Sequence, residues 1–191
     1  MKWIPVPLRS LLLPLALTVS LIACRPIGPT VEGTVALCEA QAETLANLTY
    51  SSEVVEGGKA TLQAGEYRAP AAPDSAAEVI VEMSEKVGCG ELNDIASAGV
   101  VLVSSSGGSG TFYSLHAVQP LNGSPEEVAY TMLGDRIVVE QVTISDNLIR
   151  VDMIAHGPDD PLCCPTQPVT QAYALEGREL RLVSTTPRSA P

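Results

Sequence analysis

From Leu48 onward, apolar and polar residues alternate with a period of two, in short runs divided by turn residues. Successive side chains of an extended strand point to opposite faces, so this pattern calls for strands with one covered face and excludes a helical bundle. The runs are Leu48–Ser51, Lys59–Arg68, Ala77–Val87, Gly99–Ser104, Thr111–Gln119, Val128–Met132, Ile137–Ser145, Leu148–His156, Val169–Leu175 and Glu179–Val183. Their spacing predicts a mainly β fold, an antiparallel meander or barrel-like sheet. The clearest hairpin sets Val138, Glu140, Val142 and Ile144 against Ile149, Val151 and Met153 across Ser145-Asp146-Asn147-Leu148, with Arg150 and Asp152 on the opposite face. A second turns at Glu176-Gly177-Arg178 and brings Tyr173 and Leu175 near Leu180 and Leu182. Between Arg68 and Glu78, Ala-Pro-Ala-Ala-Pro-Asp-Ser reads as a loop, because neither proline has the amide a ladder needs.

Ahead of the strands, Val35, Cys38, Ala42 and Leu45 recur at three- and four-residue spacing from Thr34 to Ala46, which predicts one short N-terminal helix. A larger helical share would make the fold α+β instead. Further upstream the chain has a basic start, Lys2 and Arg9, then an apolar stretch from Leu11 to Ile22. Pro14 and the brevity of that stretch argue against a membrane-spanning helix. Leu21-Ile22-Ala23-Cys24 has the form of a lipobox, in which cleavage before Cys24 leaves a cysteine carrying a diacylglycerol and an acylated amine. The expected layout is a signal peptide over 1–23, a lipidated cysteine and flexible tether over 24–32, one β-rich domain over 33–184 and a disordered tail over 185–191. Arg25-Pro26-Ile27-Gly28-Pro29, without periodicity, suits the tether.

Cleavage would remove 23 of 191 residues and leave nine of the 11 basic side chains against 22 acidic ones, a formal charge of −13. Such a domain repels nucleic acid and anionic headgroups, so no nucleic-acid partner is expected. The acidic residues are spread from Glu32 to Glu179, as on a solvated surface. Six aromatic side chains, Tyr50, Tyr67, Phe112, Tyr113, Tyr130 and Tyr173, remain once Trp3 leaves, too few for a broad sugar-binding platform.

Four cysteines follow Cys24: Cys38, Cys89, Cys163 and Cys164. An even number in an exported domain points to disulfides, with three pairings open. A bond between the neighbours Cys163 and Cys164 would strain the intervening peptide, so each is expected to pair with Cys38 or Cys89. His156, Asp159, Asp160, Cys163 and Cys164 also hold metal-ligating atoms within one loop. Adjacent cysteines fit two corners of a tetrahedral site poorly, so no metal and no cofactor are expected, and His156 with the two aspartates is read as bracing a proline-shaped loop. Gly107-Gly108-Ser109-Gly110 can turn backbone amides toward an anion. It misses the nucleophile elbow at Thr111, and a hairpin connection accounts for it. Asp135 and Arg136 read as a charge pair bracing a turn, and Glu91-Leu92-Asn93-Asp94-Ile95-Ala96 as a surface turn with too few oxygens for calcium. Of the two histidines, His116 shares a strand face with Phe112, Ser114 and Val118 and is expected to be partly covered or wet, and no spacing singles out a Ser, His and acid set.

Thr61-Leu62-Gln63-Ala64-Gly65-Glu66-Tyr67-Arg68, Ser106-Gly107-Gly108-Ser109-Gly110-Thr111-Phe112-Tyr113, Leu133-Gly134-Asp135-Arg136 and His156-Gly157-Pro158-Asp159-Asp160-Pro161-Leu162-Cys163-Cys164-Pro165 occur in that order. Together they make the chain resemble the LppP/LprE-type bacterial envelope lipoproteins over roughly Leu45 to Leu182. The resemblance implies a shared fold and an envelope location; it carries no catalytic residues and no ligand. The resulting expectation is a lipid-anchored domain on the extracytoplasmic side of a bacterial membrane that binds or scaffolds without catalysis. Its partners would be the membrane, through the anchor, and an envelope protein or small apolar ligand. The alternatives are a carrier for an apolar ligand or metal ion, and a thiol-redox enzyme or hydrolase. A closed apolar core accounts for the same alternation as a ligand-filled one and is the simpler reading.

Overall fold

The computed structural model describes Met1 and residues 41–189. The signal segment, Cys24, the tether, Cys38 and the first part of the expected helix lie outside the described residues. Residues 41–45 form a helical turn, and everything after it is strand and connection. The fold is mainly β, in antiparallel sheets, as the period-two runs predict.

The strands are β1 (Thr49–Ser51), β2 (Lys59–Thr61), β3 (Glu66–Pro70), β4 (Glu78–Leu92), β5 (Ile95–Ser105), β6 (Phe112–Leu121), β7 (Ser124–Asp135), β8 (Val138–Ser145), β9 (Leu148–Ala155), β10 (Gln167–Glu176) and β11 (Glu179–Pro187). They build two meanders, β3-β4-β5-β6-β7 and β8-β9-β10-β11, and a small ladder β1-β2. Each predicted run becomes a strand, with one division. Lys59–Arg68 breaks at Ala64 and Gly65, both at positive φ, where the chain turns from β2 into β3. The last strand runs further than expected: β11 reaches Pro187, opposite Val169, so residues 185–187 form strand where a disordered tail is predicted.

Four two-residue hairpins set the meanders of the described residues, one of them at Gly177-Arg178 between β10 and β11. Asn93-Asp94, Asn122-Gly123 and Asp146-Asn147 each place two residues at positive φ between directly paired strand ends. Asx and Gly residues tolerate that conformation, and its twist matches the flanking strands. The Glu91–Ala96 segment is thus a surface turn, as its sequence suggests. The tips of β4-β5 and β8-β9 are clasped together: the Asn93 amide donates to Asn147 Oδ1, and Asn147 Nδ2 donates to Asn93 Oδ1 at 3.1 Å.

The five-stranded sheet is covered on both faces, so β5 and β6 read as nearly continuous apolar runs. One face, with Val101, Leu115 and Ala117, packs on the four-stranded sheet through Val142, Ile149, Val151, Met153 and Tyr173. The other, with Val100, Leu102 and Val118, is capped by Leu45, Tyr50, Ala60 and Leu62 of the helical turn and the β1-β2 ladder. Where β4 passes β8, a Cβ on Gly88 would come within 2.7 Å of the Val142 carbonyl oxygen, and one on Gly90 within 2.6 Å of that of Ile144. Glycine is what allows this approach.

Bulges shift the faces of β7 and β8. One between Val139 and Gln141 turns Val139 into the core in place of Val138, which is exposed. Two more lie in β7, opposite Tyr113/Ser114 and Ala117/Val118. Their extra residues, Leu133 and Val128, pack on the inter-sheet core.

Candidate functional site

The β7 bulge at Val128 builds the site. With regular alternation Val128 would share a face with Tyr130, and Glu127 would take the other. The extra residue resets the phase, so Glu127 lies opposite Val118 while Tyr130 lies opposite His116, both on the capped face. On the neighbouring strand, Ser114 and His116 share that face because they are two residues apart. His116 has no exposed surface, against the expectation that it is partly covered or wet, because β1 closes over it. Its ring meets Tyr50 edge-on at 5.3 Å and stacks on Tyr130 at 5.6 Å.

Both ring nitrogens are engaged. Nδ1 is 2.8 Å from Glu127 Oε2, and Nε2 is 2.8 Å from Ser114 Oγ. Glu127, its side chain 6% exposed, also accepts from the amide and hydroxyl of Ser51, each at 2.6 Å, and from Lys59 Nζ at 3.3 Å. Burial pushes the Glu127 carboxyl upward, but the bonds from His116 and Ser51 outweigh it and hold the group at about 2. Burial also holds the His116 pKa below its ordinary value, against the opposing pull of Glu127. At neutral pH the pair is therefore carboxylate and neutral imidazole. A carboxylate only accepts, so Nδ1 carries the proton and donates to Glu127. Nε2 then presents its lone pair to the Ser114 hydroxyl. The network also fixes the cap: Ser51 ties β1 to β7, and the Tyr50 hydroxyl donates to the Leu45 carbonyl at 2.8 Å. Burial raises the Tyr50 pKa far above its ordinary value, so it stays a neutral donor.

Ser114 ends at a cavity of about 200 Å³ between the chain after β1 and the five-stranded sheet. Its lining is Ser51, Ser52, Glu53, Val54, Ser104, Phe112, Ser114, Tyr130 and Met132. The lining thus mixes three hydrophobic side chains with four serines, the Tyr130 ring and the Glu53 carboxylate.

The residues singled out from sequence fall elsewhere and serve their loops. Gly107, Gly108, Ser109 and Gly110 connect β5 to β6; a Cβ on Gly107 would collide with Ala77 at 2.6 Å. Asp135 receives the Thr111 amide at 2.8 Å and pairs with Arg136 Nε at 2.9 Å, so this pair braces the turn as read. Desolvation raises the Asp135 carboxyl, but the Thr111 and Arg136 bonds lower it further. Asp160 receives the Gly157 and Thr166 amides at 2.7 and 2.8 Å and the Thr166 hydroxyl at 2.8 Å, and these bonds lower its pKa. His156 acts electrostatically on both Asp135 and Asp160, while its buried Nδ1 makes no hydrogen bond. Asp159 is exposed on the same loop. Among the described residues no three His, Cys, Asp or Glu side chains are grouped so as to hold a metal ion.

The cysteine pairing differs from expectation. Cys163 and Cys164 bond to each other rather than to distant partners. Both are exposed on the β9-β10 loop, whereas Cys89 sits in β4 against the capped core and is itself disulfide-bonded. Local strain is legible in adjacent cysteines, whereas the distance from this loop to Cys89 in the core is set by the fold.

Sequence reasoning placed Ser114 and His116 on one face but missed Glu127, Ser51 and the cavity. No protein-family model, curated protein or solved structure matches the chain.

Proposed function

We propose that this chain is an extracytoplasmic lipoprotein domain, anchored to a bacterial membrane through Cys24, that binds a small ligand in the cavity beside Ser114. The observation that supports binding is the cavity itself, lined by Val54, Phe112 and Met132 together with four serines. A few apolar walls with a small number of oriented polar groups are what small-ligand sites are made of. Its volume lies below the roughly 300–1,000 Å³ of drug-sized sites, so the ligand is a short molecule or one end of a longer one. The anchor rests on Leu21-Ile22-Ala23-Cys24 behind its basic and apolar lead-in, and the acidic surface turns nucleic acid away.

Native mass spectrometry of the protein extracted from its own membrane tests both parts. The expected spectrum carries an acylated Cys24 and a small non-covalent passenger that is lost in Met132→Trp, which fills the cavity. An unmodified Cys24 would remove the anchor from this reading. A native mass equal to that of the acylated chain alone, in wild type and variant alike, would remove the ligand.

A further inference from the structure

We infer that Ser114 is a nucleophile for esters of short carboxylic acids, with His116 as its base and Glu127 as the residue that positions the base. This deepens the reading of the cavity as a ligand site and rests on it. The arrangement has the order that serine acyl transfer needs: hydroxyl on Nε2, carboxylate on Nδ1, each at 2.8 Å. The reverse tautomer would hold the Ser114 proton in place instead of accepting it. The ionised Glu127 enforces the productive one, and burial keeps the imidazole neutral and ready to take a proton.

The geometry also selects among the serines. Ser51, Ser52, Ser104 and Ser114 all line the cavity, but the imidazole of His116 bonds Ser114. A purely structural reading explains why Glu127 accepts from Ser51 and Lys59, since those bonds fasten the cap. It also calls for some donor at the far nitrogen of this buried ring, but not for one that lines a cavity.

In the step itself, Ser114 Oγ attacks the carbonyl carbon of the ester as its proton passes to His116 Nε2. The bond from that carbon to the alcohol oxygen then breaks, and the departing oxygen takes the proton from Nε2. Water, deprotonated in turn by Nε2, adds to the acyl-serine; the acid leaves and Ser114 regains its proton. Of the other side-chain donors that line the cavity, the Ser51 hydroxyl goes to Glu127 and the Ser104 hydroxyl to the Phe112 carbonyl, which leaves those of Ser52 and Tyr130 for the oxyanion. Phe112 and Met132 leave room for an acyl group of a few carbons.

The test uses the full chain with two probes, an alkyl fluorophosphonate and 4-nitrophenyl acetate. Peptide mapping of the wild-type protein is expected to place the phosphonyl adduct on Ser114 and to leave the exposed Ser145 and Ser184 unmodified. Around His116 stand Glu127 and Tyr130 of β7, Tyr50 of β1 and Lys59 of β2. The labelling rate should therefore rise with a single titration below pH 6.5, the ordinary histidine value, and stay level through neutrality. Ser114→Ala should abolish labelling and turnover of the acetate, and His116→Gln should slow both by roughly 10²–10⁴-fold, the usual contribution of a general base. Glu127→Gln should move the pH profile, which a merely structural carboxylate would not do.

A wild-type protein whose Ser114 stays unlabelled overturns the proposal without recourse to any variant, as does acetate turnover that survives Ser114→Ala. A passenger mass that persists in such a protein leaves the cavity a binding site and discards the nucleophile alone. An empty cavity together with an unlabelled Ser114 discards both.

Discussion

A carboxylate that accepts four hydrogen bonds cannot be protonated without giving some of them up. Glu127 accepts from His116, Lys59 and, twice, Ser51, and its pKa falls from 4.5 to about 2. Above pH 4.5 its stabilisation is fully present. Between pH 4.5 and about 2 the unfolded chain binds the proton first, and stability is lost by an amount on the order of 3 kcal/mol. His116 works at higher pH with the same sign. Its folded pKa lies below 6.5, so the unfolded chain takes a proton that the folded chain refuses, and stability falls as pH drops through 6.5. Urea midpoints measured from pH 8 to 3 should therefore be level at first and decline in two stages, and Glu127→Gln should flatten the second. Glu127→Ala at pH 7 leaves the buried imidazole without its partner and should cost about 1–3 kcal/mol by the same measurement. At this scale the sequence told half the story. Ser114 and His116 are visibly on one face, two residues apart, but Ser51 reaches Glu127 from 76 positions away, and no local pattern reports such a contact.

Among the strand elements, the pattern was most legible where one face stays covered along the length, as in β9, whose Ile149, Val151 and Met153 are all buried. β7 was legible only in part, because its two bulges break the alternation that marks a strand. The predicted Val128–Met132 is the short stretch between them, while the element spans Ser124–Asp135. Asn122-Gly123 is the signal that could have extended it, a dipeptide that favours a tight hairpin over a loop. The β4-β8 crossing was equally hidden, since a glycine gives no hint of what lies against it. Gly90→Ala must displace the Ile144 backbone and side chain, and we expect a loss of about 1–3 kcal/mol in chemical denaturation. Gly108→Ala, with nothing within 4 Å of its Cβ, should stay within about 0.5 kcal/mol of wild type.

At the scale of the whole described domain, the architecture is three layers: a four-stranded sheet, a five-stranded sheet and a small cap of helical turn and β1-β2. The two meanders follow from short turns and chain order; the cap was predicted as its pieces, not as a layer. The disulfides show how little a local argument says about global stability. A Cys163–Cys164 bond closes almost no loop, so replacing both by serine should lower stability by only about 1 kcal/mol. A bond from this loop to the first half of the chain would be worth roughly 4 kcal/mol, and a thermal denaturation scan with and without the two serines separates the cases.

The cap is also where the described domain begins. The Leu45 carbonyl holds the Tyr50 hydroxyl, and the Tyr50 ring lies edge-on against His116. The helical turn thus bears on the buried imidazole through one hydrogen bond and one ring, and loosening it at Leu45 would uncover His116.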